Sequence, residues 1–242
     1  MNTSSRHVLV TGANRGLGLE FTRQLLARGD RVVATCRHPG KATALNPLAG
    51  DYPGRLHVLP LDVAEPKSHA ELARELPLVL GGHGDDTPGR IDLLLNNAGV
   101  LPSGERFGRL GADNLEHSFR VNAMGPLLLT QALAPLLADG ARVANLSSRL
   151  GSIAGTGRFG TPSYNISKAA LNMATVLLAQ ALADRGIVVA AFSPGWVRTE
   201  MGGDDADVAP EDAVAGVLRQ VDALGDGDSG RFLGTDGETI PW

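Results

Sequence analysis

Seven short runs of β-branched and aliphatic residues recur along this chain, with segments of helix length between most of them. The runs are 7–11 (HVLVT), 31–36 (RVVATC), 56–61 (LHVLPL), 91–96 (IDLLLN), 142–147 (RVANLS), 188–193 (VVAAFS) and, more weakly, 230–233. Most are apolar at successive positions, not at alternate ones, as a strand covered by helices on both faces must be. Segments 16–28, 67–76, 115–137, 162–184 and 210–224 carry helical patterning. Such alternation joins parallel strands by right-handed crossovers. The expectation is an α/β chain with a central parallel seven-stranded sheet, doubly wound in a three-layer αβα sandwich, with ligands at the carboxyl ends of the strands.

Length and composition narrow the choices further. At 242 residues and 43% hydrophobic content the chain can bury one sizeable core, and no linker divides it, so residues 1–242 are expected to form a single domain. Stretches 81–90, 151–160 and 202–207 are Gly-rich or polar and read as surface loops. The net charge of −4 comes without a basic stripe, which argues against nucleic acid. No stretch approaches the roughly 18 apolar residues of a membrane span, and the first ten residues lack a leader pattern. The lone cysteine, Cys36, cannot form an internal disulfide, so a reducing cytoplasm is expected. Six histidines are scattered without ligand spacing, and no resident metal is expected.

The first strand runs into Thr11-Gly12-Ala13-Asn14-Arg15-Gly16-Leu17-Gly18, which opens the first helix. In that setting backbone N–H groups and the positive helix end face a pyrophosphate. Glycine permits the turn at Gly12, close approach at Gly16 and tight helix packing at Gly18. This makes the sandwich Rossmann-type. About 20 residues on, an NAD-binding chain places an acid for the ribose 2′-OH. Here the second strand ends Cys36-Arg37-His38-Pro39, with no carboxylate. Arg37 and Arg15 are suited to clamp a 2′-phosphate, which favours NADP, with NADPH preferred over NADH.

A second cluster lies in the other half. Tyr164 and Lys168 stand four apart at the start of a long apolar helix and share a face. An ammonium beside a phenol favours the phenolate, which suits a general acid. The chain has only three lysines, Lys41, Lys67 and Lys168. Ser147 and Ser148 end the fifth strand, where a hydroxyl can meet a substrate carbonyl. Asn122 sits inside a helix, facing outward or holding a water or a backbone group. Asn96-Asn97-Ala98-Gly99 closes the fourth strand on the same edge and suits either a ligand or a plain tight turn.

With these residues placed, the whole chain resembles the short-chain dehydrogenase/reductase superfamily. TGANRGLG, LDV (61–63), NNAG (96–99), VN (121–122), NLSS (145–148), YNISK (164–168) and SPGWVRT (193–199) follow in the family's order. PGWVRTEMGG and the tail ending Pro241-Trp242 are similar to the C-factor and Sniffer-like carbonyl reductases. The resemblance implies that Tyr164 is the general acid and that Lys168 lowers its pKa and holds the nicotinamide ribose. Ser148 would orient the carbonyl and Asn122 would fix a water in the proton relay. It also implies that Gly12, Asn14, Arg15, Gly16, Leu17 and Gly18 cradle the phosphates, and that Asp62 and Val63 border the adenine. Asn97, Ala98 and Gly99 would line the ribose; Pro194, Val197 and Thr199 would approach the nicotinamide. Ser148 precedes Tyr164 by 16 residues, longer than is usual in the family, which leaves Ser147 and Ser152 as alternatives.

The expected activity is NADPH-dependent reduction of an aldehyde, ketone or quinone, a small-molecule substrate held among loops 101–109, 151–160 and 201–207. A cofactor-binding regulatory protein on the same fold is the rival reading. The family also implies a homo-oligomer, dimer or tetramer, through apolar faces of the two long helices, although these could equally be buried against the sheet.

Overall fold

The computed structural model describes residues 5–81 and 89–242; most of the expected 81–90 loop lies outside these. Strands β1 (His7–Thr11), β2 (Arg31–Cys36), β3 (Leu56–Pro60), β4 (Ile91–Asn96), β5 (Leu137–Leu146), β6 (Val188–Phe192) and β7 (Phe232–Leu233) form one sheet. Their order is β3-β2-β1-β4-β5-β6-β7 and every pairing is parallel. The expected fold is therefore the observed one. Successive residues of a strand face opposite layers. Val8 and Val10 of β1 pack with α1 (Gly16–Ala27) and α7 (Pro210–Ala223) on one side. Leu9, between them, faces α3 (Pro66–Leu80), α5 (Gly125–Leu133) and α6 (Pro162–Ala181) on the other. The sheet reverses direction of winding between β1 and β4, so the loops after these strands part and leave a crevice at their carboxyl ends.

Local structure departs from the sequence pattern in three places. Residues 115–137 do not form one helix: α4 (Ala112–Phe119) passes through a π-helical turn at Arg120–Met124 into α5, and β5 begins already at Leu137. The cause is Pro126, which has no N–H for the Asn122 carbonyl four residues back, so the helix widens there. Pro135 then helps to end the helix in a short 3₁₀ turn at Ala134–Leu136. Two elements lacked periodic signal, the 3₁₀ turn Pro39–Lys41 and the short helix α2 (Leu45–Asp51). Finally, α3 runs on to Leu80 through Pro77.

Candidate active site

The turn between β1 and α1 is built by close contacts. Gly12 has φ +65°, and a Cβ there would lie 2.9 Å from Ala98 Cα, while one on Gly18 would overlap the Gly12 carbonyl oxygen. Gly16, at φ +53°, has only Thr199 side-chain atoms at 3.8 Å in the direction a Cβ would take. The space before it is open. Helix α1 starts with no side-chain cap and no acid in its first turn, so its N–H groups are left for an anion. The Thr11 hydroxyl accepts from the Asn97 and Ala98 N–H groups, each at 3.0 Å, and Asn97 Nδ2 donates to the Thr11 carbonyl at 2.8 Å. The side chain of Asn97 thus ties the end of β4 to the glycine turn.

A cavity of about 760 Å³ runs along this edge of the sheet. Gly12, Asn14, Arg15, Gly16, Leu17 and Arg37 line one end. Asp62, Val63, Asn97, Ala98 and Gly99 line the middle, and Tyr164, Lys168, Pro194 and Thr199 the other end. Four expected residues are not on its wall. Gly18 sits behind the turn, and Val197 is buried in a bridge to Val208. Asn122 and Ser148 adjoin the wall residues described below. The cavity also takes in His38, Lys41, His117 and Arg120, which patterning did not single out. Lys41 had a faint signal as one of three lysines in an arginine-rich chain. Arg37 and Lys41, with His38 between them, give the cavity a cationic end beyond β2. Arg15, expected beside Arg37, is instead ion-paired with Glu200 across the rim. Both side chains are largely exposed, so the pair holds weakly, at roughly 0–1 kcal/mol.

At the opposite end, Tyr164 and Lys168 are one turn apart on α6, both buried. Lys168 Nζ lies 5.5 Å from the Tyr164 ring centroid and donates to the Leu146 carbonyl at 2.6 Å. Burial pushes the phenol up to about 12, opposed by the neighbouring Ser148 hydroxyl, and pushes the ammonium down to about 8. The expectation that Lys168 draws the phenol toward neutrality is thus outweighed here by desolvation. Both groups remain protonated at pH 7.

Hydrogen bonds separate the three serines. Ser147 Oγ donates to Asn172 Oδ1 at 2.6 Å, and Ser152 Oγ donates to the Pro241 carbonyl at 2.6 Å and accepts from Gly155 N–H. Ser148, by contrast, faces Tyr164, and its oxygen accepts only from Leu150 N–H at 3.1 Å. Ser147 and Ser152 thus hold side-chain or backbone partners of their own, although Ser147 also lines the cavity. Asn122 is fully buried and brackets the Val100 peptide: its Oδ1 accepts from Val100 N–H and its Nδ2 donates to the Val100 carbonyl, each at 2.8 Å. The same Nδ2 donates to Ser167 Oγ at 2.9 Å, and Ser167 donates to the Tyr164 carbonyl at 2.7 Å. Of the outcomes open for Asn122, its side chain holds a backbone group.

The inner face of α6 carries polar side chains from Ser163 to Thr175 before Leu178 and Ala179 join the apolar core. Besides these bonds, Asn145 Nδ2 donates to Thr175 Oγ1 at 2.9 Å, and Asn172 Nδ2 to the Gly151 carbonyl at 3.2 Å. Gly151, in the 3₁₀ turn after Ser148, lies so close to α6 that a Cβ would come within 2.8 Å of Lys168 backbone carbon. Only glycine lets the Ser148 turn rest on the helix that carries Tyr164.

With this geometry in place, relatives are informative. Residues 6–208 match the family described as short chain dehydrogenase. The chain belongs to that family. This short chain dehydrogenase is 33% identical over 239 residues to 1-hydroxy-2-glutathionyl-2-methyl-3-butene dehydrogenase of Rhodococcus sp., covering 97% of this chain and 99% of the relative. It is 42% identical over 156 residues to C-signal of Myxococcus xanthus, covering 64% of this chain and 94% of the relative. Among solved structures it superposes on an NADPH-bound carbonyl reductase from chicken fatty liver with TM-score 0.89 and 36% identity, over 98% of this chain and 99% of that one. Carbonyl reductase Sniffer of D. melanogaster gives 0.91 and 30%, over 99% and 100%. The dehydrogenase is thus an oxidoreductase by family and fold. Among its described residues no helix is long and apolar enough to cross a membrane, and no cluster of potential metal ligands occurs.

Proposed function

We propose that this chain is an NADPH-dependent reductase of a carbonyl compound, an aldehyde, ketone or quinone. The observation that carries the reading is one continuous cavity with an uncapped glycine turn at one end and the Tyr164–Lys168 pair at the other. The glycine turn fits a pyrophosphate: Gly16 leaves room for it, and the N–H groups of α1 point into that room. Arg37, Lys41 and His38 suit a phosphorylated ribose, and Arg15 joins them by leaving its weak pair with Glu200. Asp62 and Val63 then border the base, while Asn97 to Gly99 flank the central sugar. Pro194 and Thr199 shape the nicotinamide end, with Val197 buried behind them. When bound, the cofactor supplies the hydride.

The chain's own residues supply the proton and the positioning. Tyr164, protonated at neutral pH, is the general acid. Ser148 donates to the substrate carbonyl and holds it against the phenol. Lys168 places a positive charge beside the phenolate that develops as the proton leaves, an interaction strongest in a site that excludes water. Asn122 acts as a brace through Val100 and Ser167 and would fix a water in the proton relay. A small molecule is the partner, in a reducing cytoplasm that suits the buried thiol of Cys36.

The similarity to C-signal keeps a signalling role in view, and turnover separates the two. NADPH consumption measured over a panel of aldehydes, ketones and quinones should be lost by a factor of at least about 100 in Tyr164→Phe, with NADPH affinity within a few-fold of the parent. A variant that turns over at the parent rate would remove Tyr164 from the mechanism. Binding of NADPH without turnover on any class would favour the signalling reading.

A further inference from the structure

Helix α6 carries both Tyr164 and Lys168 in its first two turns, yet it does not cap itself. Its N-cap residue, Thr161, is in the left-handed region at φ +42° and makes no capping hydrogen bond; its hydroxyl donates to Asn165 Oδ1 at 2.9 Å. Pro162 follows with no N–H to give. The first free donor is Ser163 N–H, directly before Tyr164, and its partner comes from 58 residues upstream. One carboxylate oxygen of Glu105 accepts from Ser163 N–H at 3.2 Å, and the other accepts from the Ser163 hydroxyl. Ser163 is fully buried, so without Glu105 both donors lose their partner inside the protein. A second contact ties the same loop down: Phe107 meets Phe159 edge to face, ring centroids 5.7 Å apart, and Phe159 lies just before the start of α6.

We propose that Glu105 is a positioning residue for the reduction. It is the cap in trans of the Tyr164 helix, and it couples the loop over the substrate side of the cavity to the placement of the phenol. The loop runs on from Gly99, Val100 and Leu101, which line the cavity. Asn122 grips it at Val100, at its root, and Glu105 grips it further along. A substrate that shifts this loop therefore shifts the first turn of α6. Glu105 touches neither the cofactor cradle nor Lys168, so its effect belongs to kcat and not to cofactor affinity.

The inference rests on the reductase reading for its kinetic arm but not for its structural one. The first measurement is amide hydrogen exchange on the full chain. Glu105→Ala should speed exchange in the peptide spanning 162–167 by about tenfold, leaving α1 and α7 unchanged. Glu105→Gln, which keeps an acceptor oxygen for Ser163, should stay within threefold of the parent. In the kinetic arm Glu105→Ala should lower kcat about tenfold with KM for NADPH within twofold, and Glu105→Gln should recover most of the loss. Unchanged exchange at 162–167 in Glu105→Ala overturns the cap. Faster exchange with unchanged kcat overturns the coupling to Tyr164, as does a Gln variant as slow as the Ala variant. A parent protein with no carbonyl turnover would count against the reductase reading and leave the exchange result to decide the cap.

Discussion

Replacing Lys168 by Met should take away from the stability of this protein a pH dependence set by a single buried charge. Lys168 is almost fully buried, with one hydrogen bond, to the Leu146 carbonyl, and burial lowers it from 10.5 to about 8. That lowering corresponds to about 3 kcal/mol against the charged form. The unfolded chain takes up this proton below pH 10.5, and the folded one only below about 8. Between these values the unfolded state holds more protons, so stability rises with pH. The penalty is fully present below pH 8 and gone above 10.5. Lys168→Met removes the titration while the other groups titrate in both proteins. It also deletes a charged hydrogen bond worth about 1.5–3 kcal/mol, so the offset at pH 7 is small and the pH dependence is what is read. Urea unfolding from pH 7 to 11 should show the parent gaining about 3 kcal/mol on the variant, mostly between pH 8 and 10.5. A difference that is flat over this range, or that shrinks as pH rises, would refute the reasoning. The variant should also lose turnover, since Met places no charge beside the phenol.

Two further outcomes are expected. Arg37→Ala should raise KM for NADPH at least tenfold and barely alter that for NADH, and an equal effect on both would show that Arg37 does not read the 2′-phosphate. The outer face of α6 carries Ile166, Met173 and Leu177, each more than half exposed, and no charged side chain of α6 reaches the surface. We expect a second copy of the chain to cover this face, making a dimer with a molar mass twice 25.2 kDa by light scattering. Met173→Glu should yield the monomer; a parent that is already monomeric removes the interface.

The strands were legible because a buried parallel strand must be apolar on both sides, and runs such as RVVATC and VVAAF have few other homes. Helix 115–137 was misread because apolar periodicity continues across a break that the backbone imposes. Gly125-Pro126 in mid-helix was the available signal. The cradle and the Tyr164–Lys168 pair depend on local spacing, which sequence displays. By contrast, what distinguishes Ser148 from Ser147 and Ser152 is which hydroxyls already have partners, and Asn172 and the Pro241 carbonyl that hold the other two lie far along the chain. Glu105 was invisible for the same reason: an acid in a loop looks solvated until a helix 58 residues later is found to lack its own cap.

The polar inner face of α6 has a consequence for how such a chain can diversify. Two apolar surfaces can slide or roll past each other by fractions of a turn at little cost, because dispersion has no direction. Hydrogen bonds donated by Asn122, Asn145 and Ser147 to this helix, and the one Asn172 of the helix donates to the Gly151 carbonyl, admit one register, and the next lies a full turn away. The reacting phenol is thereby indexed to the sheet as a gear tooth is to its rack. Loops around the cavity can then lengthen, shorten or change composition while the chemistry stays in alignment.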